Sequence, residues 1–414
     1  MSTCTLVRSG WTFRSLLGLA VLCAGLPVLG IDWPNWRGPD HNGISKETGW
    51  STDWPADGPK VLWRAKVGIG FSSLAVAQGR VYTLGNAGRG ANQDSVFCFD
   101  AATGKEIWRH TYSEKLDPKY YEGGTSATPT VDGDRVYTLS KSGQLHCLNT
   151  SDGKVVWSKA LPEAVREKAG KPAEQPTWGF AGSVLALGDR IYVNVGTFGT
   201  ALDQQGQVVW CTGPEPAGYS SFVPFEIQGK EALAVFGEAA VAAVDPATGK
   251  TLWSYPWKTP NDVNAADPII SGDLVFISSG YNRGAAVLRI QDSQAAPLWE
   301  NKAMRNHFNS CVLIDRHLYG VDENELKCLE LETGRVKWTE RSVGKGSLMA
   351  ADGRLIVLSD KGELLVAPAD PAGFKPVARA QILGGKCWSA PVLANGRIHA
   401  RNAAGDVVCL DVSR

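Results

Sequence analysis

The sequence of 414 residues lacks an excess of charge of either sign, because 42 Lys and Arg residues balance 42 Asp and Glu residues. Nor does it contain a long run of like charges, so electrostatic steering of a nucleic acid is not expected. After residue 30 no apolar run approaches the roughly 20 residues that a membrane-spanning helix needs. The composition therefore predicts no nucleic-acid partner and no transmembrane segment beyond residue 30.

Short motifs of common enzymes are missing too. The sequence has no G-x-S-x-G elbow, no P-loop, no G-x-G-x-x-G following a strand and no H-E-x-x-H. Cysteine and histidine spacings typical of zinc sites are absent, so no metal site is predicted. Asp and Glu are frequent in the turns, which leaves catalysis by a carboxylate pair open. No segment shows a sustained helical period of apolar residues.

The first thirty residues differ from the rest. Arg8 and Arg14 precede the apolar run LLGLAVLCAGLPVLG, which ends in small residues before Ile31. A charged start, a short apolar stretch and a small-residue end are typical of a secretory signal peptide. We expect cleavage near Gly30 and an exported protein, periplasmic or extracellular, with a net charge of about −2; an uncleaved anchor helix is the alternative.

Seven cysteines would remain after cleavage, an odd number that excludes complete pairing within one chain. Four of them occupy matching contexts, VFCFD, LHCLN, LKCLE and VVCLD. Equivalent positions in different repeats are not expected to meet. These cysteines are therefore predicted to be small buried apolar residues rather than a disulfide framework.

A repeat dominates the remaining chain. The string DAATGKEIW at Asp100–Trp108 returns as DPATGKTLW at Asp245–Trp253, with weaker copies elsewhere. Each copy ends in a tryptophan, and consecutive tryptophans are 39 to 53 residues apart. They are Trp63, Trp108, Trp157, Trp210, Trp253, Trp299 and Trp338. An eighth copy has Val377 in the tryptophan position.

A second sequence pattern recurs at the same interval as these tryptophans. Turn residues followed by β-branched or aromatic residues, as in AQGRVYTL and AADGRLIVL, recur eight times and predict hairpins. Four short strands every 40 to 50 residues are typical of a β-propeller. The sequence thus predicts an all-β fold of eight four-stranded antiparallel blades. The last blade stops after three strands at VVCLDVSR, and GPKVLWRAKV near the start is predicted to supply its fourth.

The nine-residue string has a structural interpretation. Asp bonds the backbone of its own turn, Gly supplies a positive φ, and the strand that follows carries a Trp that packs between neighbouring blades. The predicted divisions are a signal peptide over 1–30, an N-terminal extension over 31–57 and the propeller over 58–414.

The pattern D-x-x-T-G-K-x-x-W resembles the tryptophan-docking motif of pyrroloquinoline-quinone-type propellers over nearly the whole mature chain. One branch of that superfamily contains quinone- and calcium-dependent alcohol and glucose dehydrogenases; another contains cofactor-free scaffolds, including the propeller lipoprotein of the outer-membrane β-barrel assembly machinery. The segment DWPNWRGPDHNGIS at residues 32–45 also resembles the start of secreted propellers described as PQQ-binding-like.

Several features depart from the dehydrogenase branch. The vicinal cysteine pair that typically covers the quinone is missing, and so is a CxxCH haem site. The Glu, Asn and Asp ligands for calcium have no matching motif. The resemblance therefore implies a binding or scaffold propeller that carries no cofactor, expected to be a monomer. A PQQ-dependent oxidoreductase with calcium and an atypical site is the alternative.

Segments that break the repeat are the candidate binding sites. NKAMRNHFNSCVLID places Arg305, Asn306, His307 and Asn309 at the start of an innermost strand, with His307 as a potential acid or base. One blade earlier, Asn264 and Asp267 either join this rim or cap the turn before Pro268. Three aromatic residues lie at matching positions in other blades: Trp178, Tyr219 and Trp388.

Such an aromatic mouth suits a sugar, a peptide or a quinone, and packing of the rings within the fold is the alternative. The predicted partner is a protein, or a small-molecule or glycan ligand, at one mouth of the ring. Two long connections, 113–124 and 162–176, are further candidates, and the second has the composition of a short surface helix or lid.

Overall fold

The computed structural model describes residue 1 and residues 30–414. The predicted signal peptide therefore lies almost entirely outside the described residues. The structure consists mainly of β-strands, which form eight separate sheets. Apart from two N-terminal strands, the neighbours in each sheet are consecutive strands of the chain. The eight-bladed antiparallel propeller predicted from the repeat is confirmed. Within residues 30–414 no helix combines the length and the apolar character needed to cross a bilayer.

Two short strands precede the first complete blade: β1 (Ile44–Ser45) and β2 (Val61–Lys66). Blade 1 contains β3 (Ala75–Ala77), β4 (Arg80–Asn86), β5 (Gln93–Asp100) and β6 (Glu106–Ser113). Blade 2 contains β7 (Thr130–Asp132), β8 (Arg135–Leu139), β9 (Gln144–Asn149) and β10 (Val155–Ala160), followed by the helix α1 (Leu161–Ala169). Blade 3 contains β11 (Leu185–Leu187), β12 (Arg190–Val193), β13 (Thr200–Asp203) and β14 (Val208–Cys211).

Blade 4 contains β15 (Val223–Ile227), β16 (Lys230–Phe236), β17 (Ala240–Val244) and β18 (Thr251–Pro256), followed by a 3₁₀ turn at Pro260–Asp262. Blade 5 contains β19 (Ile269–Ser271), β20 (Leu274–Ser279), β21 (Gly284–Gln291) and β22 (Gln294–Asn301). Blade 6 contains β23 (Val312–Ile314), β24 (His317–Asp322), β25 (Glu325–Glu330) and β26 (Val336–Glu340).

Blade 7 contains β27 (Ser347–Ala351), β28 (Arg354–Leu358), β29 (Glu363–Pro368) and β30 (Ala378–Gln381). Blade 8 contains β31 (Val392–Ala394), β32 (Arg397–Arg401) and β33 (Asp406–Asp411). Its fourth strand is β2, which pairs antiparallel with β33 and places Trp63 opposite Cys409. The predicted closure of the ring by an N-terminal strand is confirmed.

The hydrophobic core is divided among the seams between adjacent blades. Leu185 and Trp210 of blade 3, for example, pack with Leu233 and Val244 of blade 4 in one buried cluster. The cysteines follow the prediction made for them: Cys98, Cys147, Cys311, Cys328, Cys387 and Cys409 are buried thiols, Cys211 is half-buried, and none of the seven is in a disulfide. Burial raises the pKa of the Cys98 thiol to about 11, which keeps it protonated.

Tryptophan docking is the contact that joins one blade to the next. Six indole N–H groups donate to a backbone carbonyl in the turn between the third and fourth strands of the following blade, at 2.8 to 3.0 Å. The pairs are Trp63 with Ala101, Trp108 with Thr150, Trp157 with Gln204, Trp210 with Pro246, Trp299 with Leu331, and Trp338 with Asp370.

The glycine of the nine-residue string receives the ring of the preceding tryptophan. Gly104 has φ +70°, and a Cβ added there would lie 2.6 Å from the Trp63 ring. The turn is stabilised by Asp100, whose carboxylate accepts bonds from the backbone and hydroxyl of Thr103 at 2.8 and 2.7 Å. Each copy of the string therefore offers a docking turn to one neighbour and a docking ring to the other.

Two copies depart from this arrangement for local reasons. In blade 5 the third and fourth strands are joined by a tight turn with Gln291 opposite Gln294. The Trp253 indole N–H is buried there and finds no acceptor among residues 30–414. Blade 7 has Val377 in the tryptophan position, and the next blade has no docking turn, because its third and fourth strands, β33 and β2, come from the two ends of the chain. A tryptophan at position 377 would have no turn carbonyl to reach.

This difference predicts unequal costs for the same substitution at two equally buried sites. Trp63→Phe removes ring volume and the bond to Ala101, whereas Trp253→Phe removes ring volume alone. We expect Trp63→Phe to lower the free energy of unfolding by about 0.5–1.5 kcal/mol more than Trp253→Phe. Urea denaturation of both variants measures the difference. Equal losses would contradict the assigned role of the indole bond.

Candidate functional site

The floor of the central channel is formed by residues 32–47, here called the N-terminal strap. Trp33 exchanges two backbone hydrogen bonds with Val76 of β3, at 2.7 and 2.8 Å. The Pro34 carbonyl accepts from Val131 of β7 at 2.8 Å. Further along, β1 pairs parallel with β27 as a fifth strand of blade 7. The strap therefore crosses the channel and closes it on the side of the turns between the first and second strands.

Glu47 fastens the end of the strap. Its carboxylate is fully buried and accepts from the backbone N–H groups of Asn395 and Gly396 in blade 8, at 2.7 and 2.5 Å. Asn395 in turn donates to Asp32 at 2.9 Å. Both ends of the strap are thus tied to one turn of blade 8.

A buried ionic pair holds the middle of the strap. Trp36 donates its indole N–H to Asp267 at 2.6 Å, and the Arg37 guanidinium lies 3.8 Å from the same carboxylate. Arg37 also donates to the carbonyls of Asn42 and Cys311, at 2.8 and 2.9 Å. Burial raises the pKa of Asp267, and the charge of Arg37 opposes that shift.

Asp267 is one member of a ring of short polar side chains at the starts of the innermost strands. Backbone N–H groups in one blade donate to the side-chain oxygen of the next blade at 2.8 to 3.1 Å. The sequence of donors and acceptors is Ser73, Thr128, Ser183, Ser221, Asp267 and Ser310. Blade 5 therefore places a carboxylate where its neighbours have a hydroxyl.

An aromatic rim stands above this polar ring at the opposite mouth of the channel. Seven rings follow one another with centroid distances of 4.4 to 5.7 Å. In order they are Tyr281, His307, Phe308, Trp388, Phe71, Tyr121 and Trp178. Tyr219 continues the rim, since its hydroxyl accepts from the Trp178 backbone N–H at 3.3 Å.

Lysines surround the rim. Lys345 donates to His307 Nδ1 at 2.9 Å, and Glu323 lies 3.5 Å from the same nitrogen. Burial lowers the pKa of Lys345, while Glu323 acts in the opposite direction. The ammonium of Lys386 lies 4.3 Å from the Trp388 ring centroid and pairs with Glu122 at 2.8 Å. Lys345 approaches the same Trp388 ring to 5.6 Å.

Strap, polar ring and aromatic rim enclose a cavity of about 620 Å³. Six of the nine residues proposed from sequence line it together: Trp178, Tyr219, Asp267, His307, Asn309 and Trp388. Asn309 is fixed there by bonds from its amide to the carbonyls of Gly346 and Trp388, at 3.0 and 3.1 Å. The cavity has the size usual for small-ligand sites.

The other three proposed residues lie outside the cavity lining and stabilise loops. Asn264 is fully buried; its amide donates to the carbonyls of Glu238 and Trp257, and its oxygen accepts from Ser279. It therefore joins neighbouring loops rather than capping its own turn.

Arg305 and Asn306 are structural in the same way. Arg305 makes two bonds to the buried carboxylate of Asp322, at 2.6 and 2.9 Å. Asn306 donates to the Val321 carbonyl and accepts from the Cys311 thiol.

Sequence reasoning missed several cavity residues, namely Trp36, Phe71, Tyr121, Tyr281, Phe308 and Lys345. Phe71 stands four residues before β3, as Trp388 does before β31, so alignment of strand starts would have found Phe71. Tyr281 lies in the loop between the second and third strands of blade 5, and the candidate positions at strand starts do not include this loop. Tyr121 belongs to the connection 113–124 that was proposed as a candidate. Trp36 lies in the N-terminal strap, and no local sequence pattern predicts the path of the strap across the channel.

The connection 162–176 contains α1, as its composition predicted. Leu161 and Val165 are buried in the cluster that joins blades 2 and 3, together with Ala173. Because the helix packs on the seam, and no residue of α1 lines the cavity, it is a surface element rather than a lid.

The cavity does not fit the calcium-bound quinone of the dehydrogenase branch. Calcium takes about six to eight oxygen ligands. Within the described range, Asp267 is the only carboxylate lining the cavity, and both its oxygens accept hydrogen bonds, from Ser221 and Trp36. No group of three or more His, Cys, Asp and Glu among these residues is placed to hold a metal.

Comparison with known proteins gives one family. A family model described as outer membrane protein assembly factor BamB (PQQ_2) matches residues 47–125 and 92–340. The outer membrane protein assembly factor BamB of Yersinia pestis is 24% identical over 376 residues, covering 84% of this chain and 88% of that protein.

Two solved structures have similar folds. BamB from Moraxella catarrhalis has a TM-score of 0.59 at 14% identity and covers 85% of this chain and 97% of its own. The quinohemoprotein alcohol dehydrogenase from Comamonas testosteroni has a TM-score of 0.64 at 13% identity, over 92% and 81% of the two chains. At such identities these two structures establish the fold alone.

The buried pair beneath the cavity predicts a large effect for a small change. Asp267→Asn removes the charge that faces Arg37 and places an N–H group against the donors Ser221 and Trp36. We expect the free energy of unfolding to fall by about 3–5 kcal/mol, as for other broken buried pairs. The control is Asp262→Asn, an exposed residue of the preceding loop. Thermal unfolding of both variants measures the effect, and equal stability would refute the proposed anchoring of the strap.

Proposed function

The chain belongs to the family of the outer membrane protein assembly factor BamB, and from this premise we propose that it is an exported, non-catalytic scaffold propeller that holds a partner or ligand at its aromatic mouth. The family's name places its members in outer-membrane assembly. For this chain we therefore favour the periplasm over release from the cell.

The observation that carries the proposal is the blind cavity below the aromatic rim. Partly exposed rings offer apolar faces to a ligand, whereas the strap prevents passage through the ring. The imidazole of His307 and the carboxylate of Asp267, which line the cavity, are each engaged by neighbours in the fold. These features suit retention of a ligand better than turnover of a substrate.

A blocked cavity tests this function. Ala181 lines the cavity, so Ala181→Trp places a large ring inside it. Ala247→Trp adds the same ring at an exposed docking turn outside the cavity lining and is the matched control. With 8-anilinonaphthalene-1-sulfonate as the probe, we expect one site in the parent protein and in Ala247→Trp, and at least tenfold weaker binding in Ala181→Trp.

The same variants test the oxidoreductase alternative. Purified protein given PQQ, calcium, an electron-accepting dye and primary alcohols is expected to give no turnover above a heat-inactivated sample. Dye reduction that depends on PQQ and disappears in Ala181→Trp would overturn the non-catalytic proposal and establish the enzyme instead.

A further inference from the structure

The polar ring inside the cavity leaves hydrogen-bond donors for a ligand. The hydroxyl oxygens of Ser183 and Ser221 each accept a backbone N–H, at 2.9 Å, from the preceding blade. Both side chains line the cavity and are more than nine-tenths buried. Their hydroxyl protons have no acceptor within residues 30–414. A hydroxyl that faces the cavity and has no acceptor in the protein can donate its proton to a ligand oxygen.

The apolar and polar groups of the cavity wall lie at different depths. Aromatic faces lie at the mouth, and hydroxyl donors lie at depth, with Asn309 between them. A ligand that fits must offer flat apolar faces and oxygens around its edge. Sugar rings have this character, because their C–H faces stack on aromatic rings while their hydroxyls bond to short polar side chains.

An extended peptide fits less well. Peptides commonly bind β-sheets by adding a strand to an exposed edge, which requires free backbone groups. At the inner-strand starts that face this cavity, backbone N–H groups already donate to side chains of the next blade, as Thr128 does to Ser183 and Ser183 to Ser221. The channel thus presents side chains rather than a free strand edge.

Charge at the mouth favours an acidic ligand. Lys345 lines the cavity, and Lys386 stands on the same Trp388 ring, whereas their acidic neighbours Glu323 and Glu122 lie outside the cavity lining. The negative charge of Asp267 is paired with the positive charge of Arg37 beneath it. A carboxylate on a ring stacked against Trp388 would lie within reach of Lys345.

Building on the proposed binding function, we propose that the cavity binds a short oligosaccharide carrying a carboxylate. Sugar rings stack on Trp388 and Trp178, hydroxyls accept from Ser183 and Ser221, and the carboxylate pairs with Lys345. A uronic acid and the lactyl ether of muramic acid both supply this carboxylate, and the experiment separates them.

Calorimetric titration with three disaccharides tests the assignment. N-acetylglucosaminyl-N-acetylmuramic acid and glucuronyl-N-acetylglucosamine carry the two kinds of carboxylate, and N,N′-diacetylchitobiose is neutral. We expect at least one acidic disaccharide to bind about tenfold or more tightly than chitobiose. Lys345→Gln should abolish this preference while weak binding of the neutral sugar remains, and Lys250→Gln, an exposed lysine outside the cavity lining, should preserve it. Trp388→Leu should weaken all three.

Three results would overturn the proposal: no binding of either acidic disaccharide, equal binding of acidic and neutral sugars, or an acidic preference that survives Lys345→Gln. The anilinonaphthalene experiment separates this failure from a failure of the proposed function. Cavity binding of that probe without saccharide binding would refute only the saccharide, whereas loss of both would remove the binding site itself.

Discussion

Docking of each indole ring onto a turn of the following blade is the interaction on which the rest of the molecule depends. A four-stranded blade has two faces, and neither can be buried without its neighbours. At six of the eight seams the indole supplies a large apolar surface and one directed hydrogen bond, as Trp63 does with Ala101. Closure of blade 8 by β2 then makes the ring continuous. Packing of neighbouring blades brings the inner-strand starts close enough for the Ser183 backbone N–H to donate to Ser221 in the next blade.

The strap turns this symmetrical ring into an asymmetric container. A propeller built from similar repeats has a central channel with two open mouths. Trp36 and Arg37 enter it from one side and are fixed by Asp267, the one carboxylate in a ring of hydroxyls. That exception in the repeat has a clear physical reason, because a hydroxyl would leave the buried guanidinium without a charge partner. Among residues 30–414, the opposite mouth is thereby left as the entrance to the cavity.

The repeat made the fold predictable because its signals are local. The turn Asp, the glycine and the tryptophan lie within nine residues, and the sequence also revealed that Val377 breaks the pattern. The reason for this exception is visible only in the structure: blade 8 has no docking turn, because the two ends of the chain meet there. The cavity was partly predictable. Trp388 and His307 stand at strand starts, which a propeller always turns towards its channel, but Trp36 and Tyr281 reach the site through a strap and a side loop that follow no period.

The same reasoning explains why polar residues were harder to assign than aromatic ones. From sequence, Asn264, Arg305 and Asn309 look alike, because each is a polar residue beside a strand start. Their roles depend on which carbonyl or carboxylate lies opposite in another blade: Asp322 captures Arg305, Ser279 and two loop carbonyls saturate Asn264, and Asn309 alone remains in the cavity wall. Buried polar groups are assigned by their partners, and those partners are distant in sequence. Aromatic rings at the strand starts face the channel through their position in the repeat, so Trp178, Tyr219 and Trp388 could be assigned without knowledge of a polar partner.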